Sequence, residues 1–204
     1  MSEVTHPLRV LVIGGGLGGL CLAQGLRKVG ISVAVYERDS GALARTQGDR
    51  FHLDTRGEEA LRECLPPSLY ELFLATRGQP SRGGTLFSNV DGQLREVATR
   101  RLPEHGAFVT VGRAVDRLTL RQILLAGLED SVHFGKEFIR YERLPDGTVC
   151  AYFADGTEAI GDVLVGACGI NSRVRGQLLP RAEMIDTGRV RPVITVERQE
   201  FRKR

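Results

Sequence analysis

Gly14, Gly16 and Gly19 form a Gly-x-Gly-x-x-Gly pattern directly behind the apolar run Leu8–Ile13, and Glu37 follows 18 residues after the last of them. Each residue type suits a distinct task. Gly14 permits a tight turn, Gly16 lets backbone approach a diphosphate, and Gly19 lets a helix pack closely on the preceding strand. A helix starting at Leu17 would present free N–H groups and its positive dipole end to phosphate oxygens. Gly14, Gly16, Leu17 and Gly19 are therefore the expected phosphate-side contacts. A carboxylate at Glu37, ending the next strand, is placed to accept hydrogen bonds from ribose hydroxyls. Helix–strand packing alone also explains glycines; the acid at this distance makes a nucleotide site the better reading.

The elements that must position these residues are legible in the periodicity. Leu8–Ile13 and Ile31–Tyr36 read as buried parallel strands. Between them Leu20, Ala23, Leu26 and Val29 recur at helical spacing over Leu17–Val29, and Gly30 stops the helix. Strand, turn, helix and strand make a right-handed βαβ unit. After polar residues 37–50, Phe51–Leu53 suggests a short strand. Thr55 and Glu58 suggest a capping box for a helix through Cys64, and Pro66-Pro67 opens another towards Ala75. Asp91-Gly92 signals a hairpin between Thr85–Ser88 and Leu94–Val97. Asp116 is the expected cap of an amphipathic helix over Leu118–Leu128. From Ser131 the period becomes two, with strands near Val132–Phe134, Glu137–Tyr141 and Thr148–Phe153 predicted to form a β-meander. Asp162–Gly166 then reads as a third buried strand, with a short helix from Asn171.

Composition bounds the function. Apolar residues make up 42% and charged residues 26%, the balance of a globular domain with its own core. The net charge of +3 is concentrated at the end: residues 189–204 carry +4, leaving −1 on the rest, which argues against nucleic-acid binding by the folded body. Four cysteines without CxxC or metal-ligand spacing point to reduced thiols and a cytoplasmic location. Residues 10–26 are mostly apolar, but five glycines between 14 and 19 argue against a membrane segment. No Gly-x-Ser-x-Gly, HExxH or Walker A pattern occurs, and the four histidines make no metal-binding pair.

FAD, NAD(P) and S-adenosylmethionine share such a front end. About 80 residues of loops, helices and hairpins intervene before Leu118–Leu128, and a meander precedes the third strand. That layout resembles the FAD domain of the glutathione-reductase type: an α/β, Rossmann-like fold with a parallel sheet and a β-meander crossover. Three stretches, VLVIGGGLGGLCLAQGLRKVGISVAVYERD, RLTLRQILLAGL and DVLVGACGINSRVR, resemble in order the flavin-dependent class A monooxygenases of the aromatic-hydroxylase type. The resemblance covers roughly residues 8–180.

The resemblance implies a set of roles. Glu37 would hold the adenosine ribose and Arg38 would lie over the adenine end. Arg117 would contact the flavin side of the cofactor, Arg45 would lie near the isoalloxazine and nicotinamide, and His52 beside the flavin ring. Read without the family, Arg45 is a loop cation, His52 a strand-edge histidine and Arg117 an unliganded first helical residue. The implied reaction has NAD(P)H reduce FAD, O2 react with the reduced flavin, and one oxygen atom pass to a small aromatic or polycyclic substrate. Two departures stand out. The family's Gly-Ala-Asp-Gly is Gly166-Ala167-Cys168-Gly169 here, and a later Gly-Asp motif and substrate-domain sheet are absent. The expected organisation is an FAD-binding domain over 1–188, with part of a substrate region inserted at about 76–112, and a basic tail over 189–204. The alternatives are a truncated, non-catalytic nucleotide-binding remnant and an NAD(P)-dependent dehydrogenase.

Overall fold

The computed structural model describes residues 7–42, 44, 50–79, 83–89, 94–101, 112–182 and 184–186. Arg45, the Asp91-Gly92 turn and the basic tail lie outside them.

Strand β1 (Arg9–Ile13) leads through Gly14–Gly16 into helix α1 (Leu17–Lys28) and then β2 (Ser32–Tyr36). Gly30, at φ +78°, ends the helix with its N–H on the Arg27 carbonyl, as its position behind the last periodic residue predicts. Next come β3 (Arg50–Leu53), α2 (Thr55–Cys64), α3 (Pro67–Thr76), β4 (Gly83–Asn89), β5 (Leu94–Arg101), β6 (Arg113–Asp116) and α4 (Arg117–Leu125). The chain continues through β7 (Val132–His133), β8 (Phe138–Arg143), β9 (Val149–Phe153), β10 (Glu158–Gly161), β11 (Val163–Gly166) and α5 (Arg173–Leu178).

The main sheet is parallel, in the order β11-β1-β2-β7. Alternate residues of β1 serve two cores, which is why Val10–Ile13 are all apolar and buried. Val10 and Val12 join Leu20, Ala23, Leu61, Phe73 and Leu124 on the helical face. Leu11 and Ile13 join Phe138, Val149, Ala151 and Phe153 of the meander on the other. The antiparallel strands β8, β9 and β10 thus cover the face that a crossover helix covers in a simple doubly wound fold.

Several local expectations are corrected. Val132–His133 is not part of the meander; it pairs in parallel with β2, because Val132 is needed beneath the helical core. The α2 cap is Asp54, whose carboxylate accepts from the Gly57 N–H at 2.9 Å, so Thr55 and Glu58 form no capping box. Helix α4 ends at Leu125 rather than Leu128, with Gly127 at φ +78° beyond it; its expected cap is present, Asp116 accepting from the Thr119 N–H at 2.8 Å. Strand β11 is an edge strand, only partly buried, with Val163 42% exposed. Strand β6, which no sequence pattern marks, pairs antiparallel with β3. No helix among the described residues is long and apolar enough to cross a membrane.

Candidate cofactor site

The strand register builds the site. Ile13 lies level with Tyr36 on one side and Gly166 on the other, and Tyr36 lies level with His133. Four chain segments therefore leave the carboxyl edge of the sheet side by side: Gly14–Gly16, Glu37–Arg38, Phe134–Lys136 and Ala167–Cys168. The strand order changes direction at β1, and open α/β sheets bind ligands in the crevice at such a switch point. A cavity of about 300 Å³ opens there, at the small end of the ~300–1,000 Å³ typical of ligand sites.

The glycine loop is held from several sides. The Gly14 N–H donates to the Tyr36 carbonyl at 2.9 Å, and the Ala167 N–H to the Ile13 carbonyl at 2.8 Å. At φ +116°, Gly14 occupies backbone space that L side chains rarely adopt, and a Cβ there would lie 2.5 Å from the Ala167 carbonyl oxygen. A Cβ on Gly19 would strike the Gly14 carbonyl oxygen, so this residue serves helix–strand packing, as expected. Gly16 differs. It caps α1 with no side-chain bond, borders the cavity, and a Cβ on it would meet nothing within 4 Å. That open space over the first turn of α1 is what a diphosphate needs in order to reach the free amides.

Glu37 is 8% exposed and lines the cavity. Its Oε2 accepts from the Gly15 N–H at 2.7 Å and its Oε1 from the Asp39 N–H at 3.0 Å. Each carboxylate oxygen has two acceptor positions, so both retain capacity for a sugar hydroxyl. A Cβ on Gly15 would lie 3.0 Å from the Glu37 Cβ, so the middle glycine of the triplet is small to let the acid in. No sequence motif assigns Gly15 a role; only the carboxylate behind it explains it.

Of the other expected residues, Arg38 and Arg117 line the cavity. Neither has a carboxylate partner among the described residues, and the Arg117 guanidinium sits 5.4 Å over the Phe51 ring. Leu17 follows Gly16 at the helix start but is not among the lining residues, and neither is Gly19. His52 lies on β3 opposite Ala114, outside this cavity. Arg45 lies outside the described residues.

The site also contains residues that sequence reasoning misses. Tyr36 stacks on Phe153 and His133, at ring separations of 4.6 and 5.1 Å, and burial pushes its hydroxyl pKa up. Lys136 and Arg173 line the wall as braced cations. Lys136 reaches Asp155 at 2.5 Å and Thr157 at 2.9 Å. The Lys136 contact, and then that of Thr157, pulls the Asp155 pKa down to about 2. Arg173 pairs with Glu137 at 2.8 Å and donates to the Phe138 carbonyl at 2.9 Å. Recognising Val132–His133 as a strand of the main sheet would have pointed to Lys136, because the segment after it must reach the same edge. Cys168, singled out in the sequence as the departure from the family's Gly-Ala-Asp-Gly, does line the wall, its thiol 3.0 Å from the Ser172 hydroxyl. The four lining cations, Arg38, Arg117, Lys136 and Arg173, outnumber Glu37 and Glu137, which suits a ligand with a diphosphate. Among the described residues no cluster of His, Cys, Asp and Glu is arranged to hold a metal ion.

Fold and crevice together define a Rossmann-type dinucleotide-binding domain, and residues 12–57 match the family description "NAD(P)-binding Rossmann-like domain". Within that class the chain is similar in sequence to proteins named as FAD-dependent monooxygenases. It is 38% identical over 184 residues to the dual O-methyltransferase/FAD-dependent monooxygenase elcB of Phaeosphaeria nodorum, covering 89% of this chain and 20% of that protein. It is 38% identical over 177 residues to the FAD-dependent monooxygenase thnD of Trichoderma harzianum, covering 86% of this chain and 42% of the relative. Among solved structures, an FAD-containing monooxygenase from Photorhabdus luminescens superposes with a TM-score of 0.73 at 37% identity, covering 86% of this chain and 43% of the other. The chain thus spans less than half the length of these relatives.

Proposed function

We propose that this chain binds FAD and supplies the cofactor-binding part of an NAD(P)H-dependent monooxygenase acting on a small aromatic or polycyclic molecule. The observation that carries this is the pairing of an open Gly16 with a Glu37 that both lines the cavity and braces the Gly15 amide. FAD, when bound, supplies the redox and oxygen-transfer chemistry; the protein supplies position, dryness and electrostatics.

The residues divide the work. The amides at the start of α1 hold the diphosphate, and Glu37 accepts from the adenosine ribose. Arg38 and Arg117, free of carboxylate partners among the described residues, line the cavity and face the negative charge, in the resemblance from the adenine and flavin ends respectively. Lys136 and Arg173, each with an acidic partner, shape the wall rather than add free charge. The resemblance gives His52 and Arg45 to the flavin end; His52 stands on β3 outside the cavity, and Arg45 is not among the described residues. Four free cysteines support a reducing, cytoplasmic setting.

Purified protein titrated with FAD tests the reading: a saturable quench of flavin fluorescence and a retained yellow chromophore support it, and no uptake overturns it. One observation favours a second reading, in which FAD binds but nicotinamide-driven reduction is lost. Cys168 occupies the crevice where the family pattern has a carboxylate, and a thiol is a weak hydrogen-bond partner. Comparing NADH and NADPH oxidation by the wild type and Cys168→Asp separates the two.

A further inference from the structure

Glu58 is the acidic half of a capping pattern that the structure does not form. Asp54 caps α2 in its place, and the Glu58 side chain turns elsewhere. Its Oε2 accepts from Arg77 Nη1 at 2.7 Å, and its Oε1 lies 3.0 Å from Arg113 Nε. The second contact is an ion pair off the N–H direction, and the buried Oε1 accepts no hydrogen bond among the described residues. All three side chains are largely covered, at 18% exposure for Glu58, 22% for Arg77 and 25% for Arg113.

The two arginines have a topological meaning. Arg77 caps the end of α3 and Arg113 opens β6, so they stand at the start and the return of residues 79–112. The same neck is closed by backbone: the Gly78 N–H donates to the Ala114 carbonyl at 2.8 Å, and a Cβ on Gly78 would lie 2.9 Å from that oxygen. On the return side a Cβ on Gly112 would sit 3.3 Å from the His52 Cβ, so the neck touches β3. Strand β6 then runs without a break into Arg117, which lines the cofactor cavity.

We propose that Glu58 is a positioning residue: one carboxylate on α2 grips Arg77 and Arg113, the two ends of residues 79–112, and so sets how that segment and the β3–β6 pair stand against the cavity lined by Arg117. The physical argument is closure. Bringing together the ends of a 34-residue segment costs chain entropy, which contacts at the neck help to offset. A shared, largely desolvated carboxylate opposes opening more than an exposed pair would, because losing it takes from two covered guanidinium groups their carboxylate partner among the described residues. Its link to the cofactor, through Arg117, rests on the reading of the cavity as the FAD site.

Hydrogen–deuterium exchange on the full chain tests this, with and without FAD. Without FAD, Glu58→Gln is expected to speed exchange in peptides from 79–116 by about tenfold while peptides from 9–36 keep their wild-type rates, the pattern of a local opening. Glu58→Asp, which keeps the charge, is expected to recover most of the protection. Unchanged exchange in 79–116, or acceleration of equal size in 9–36, overturns the proposal. If Glu58→Gln does not accumulate folded, Arg113→Lys gives the same comparison, read in the same way. With FAD, the wild type is expected to gain protection at 113–120 and Glu58→Gln to lose that gain. Absence of any FAD effect in the wild type counts against the cofactor reading alone, since the comparison without FAD still decides the neck.

Discussion

The Glu37 carboxylate accepts a 2.7 Å hydrogen bond from the Gly15 amide, so the residue that ends β2 fixes the loop that follows β1. Two strands adjacent in the sheet are thereby joined at their functional ends as well as along their length. The acid that is expected to hold a sugar also holds the loop expected to hold the phosphates.

That coupling makes Gly15 as sensitive as the motif glycines. Gly15→Ala places a methyl group 3.0 Å from the Glu37 Cβ and must push the acid or the loop aside. FAD affinity is expected to fall by about 1.5–3 kcal/mol, the range for a hydrogen bond to a charged group. Glu37→Ala is expected to lose a similar amount for the same reason. Fluorescence titration with FAD checks both, and unchanged affinity in either variant counts against the shared role.

Gly14→Ala is a stability prediction rather than a binding one. The added methyl meets the Ala167 carbonyl at 2.5 Å in a backbone region closed to alanine. A loss of about 3 kcal/mol or more is expected, which belongs to the severe class of single substitutions. Urea unfolding measures it. A wild-type midpoint would mean that β11 and the loop do not pack as described.

Arg121 predicts the opposite sign. Its Nε and Nη2, on the flank of α4, are buried without a hydrogen-bond partner among the described residues. Replacing an unpaired buried donor by an apolar side chain removes its desolvation penalty. Arg121→Met is therefore expected to stabilise the protein by about 1 kcal/mol, a typical single-site gain. Thermal unfolding without added ligand tests the sign. A destabilised variant would show that the guanidinium has a partner in solution.

Cys21 supplies the pH dependence. Burial first, and then the neighbouring Cys64, push its pKa from 9.0 to about 12. The folded state therefore binds this thiol proton more tightly than the unfolded chain does. The resulting stabilisation is complete below about pH 9 and is lost as pH rises towards 12. Because only the thiolate is nucleophilic, Cys21 should alkylate far more slowly at pH 8 than a free cysteine. Mass mapping after iodoacetamide checks this, and early labelling of Cys21 would refute the buried thiol.

The α1 front end is readable because its signals are local. Glycine spacing, a helix-period apolar face and an acid closing the second strand all lie within Leu8–Glu37, and the elements appear there to within a residue or two. Val132–His133 reads as part of the meander because a two-residue strand carries no period of its own; its partner β2 lies about a hundred residues earlier. Thr55 and Glu58 match a capping pattern that Asp54, one position earlier, satisfies better. Arg113–Asp116 is invisible as a strand because it takes its identity from pairing with β3.

The amino-acid sequence by itself determined the βαβ unit, two of the three meander strands (β8 and β9, but not Glu158–Gly161) and the chemistry of the first turn, since each depends on neighbours within a few residues. Tertiary structure alone decided that Tyr36, Lys136 and Arg173 share one crevice with Glu37. It also decided that His52 lies outside that crevice and that Glu58 bridges Arg77 and Arg113. These outcomes follow from strand order and register, which are set by how two separate cores are filled on opposite faces of one sheet and leave no local mark on the chain.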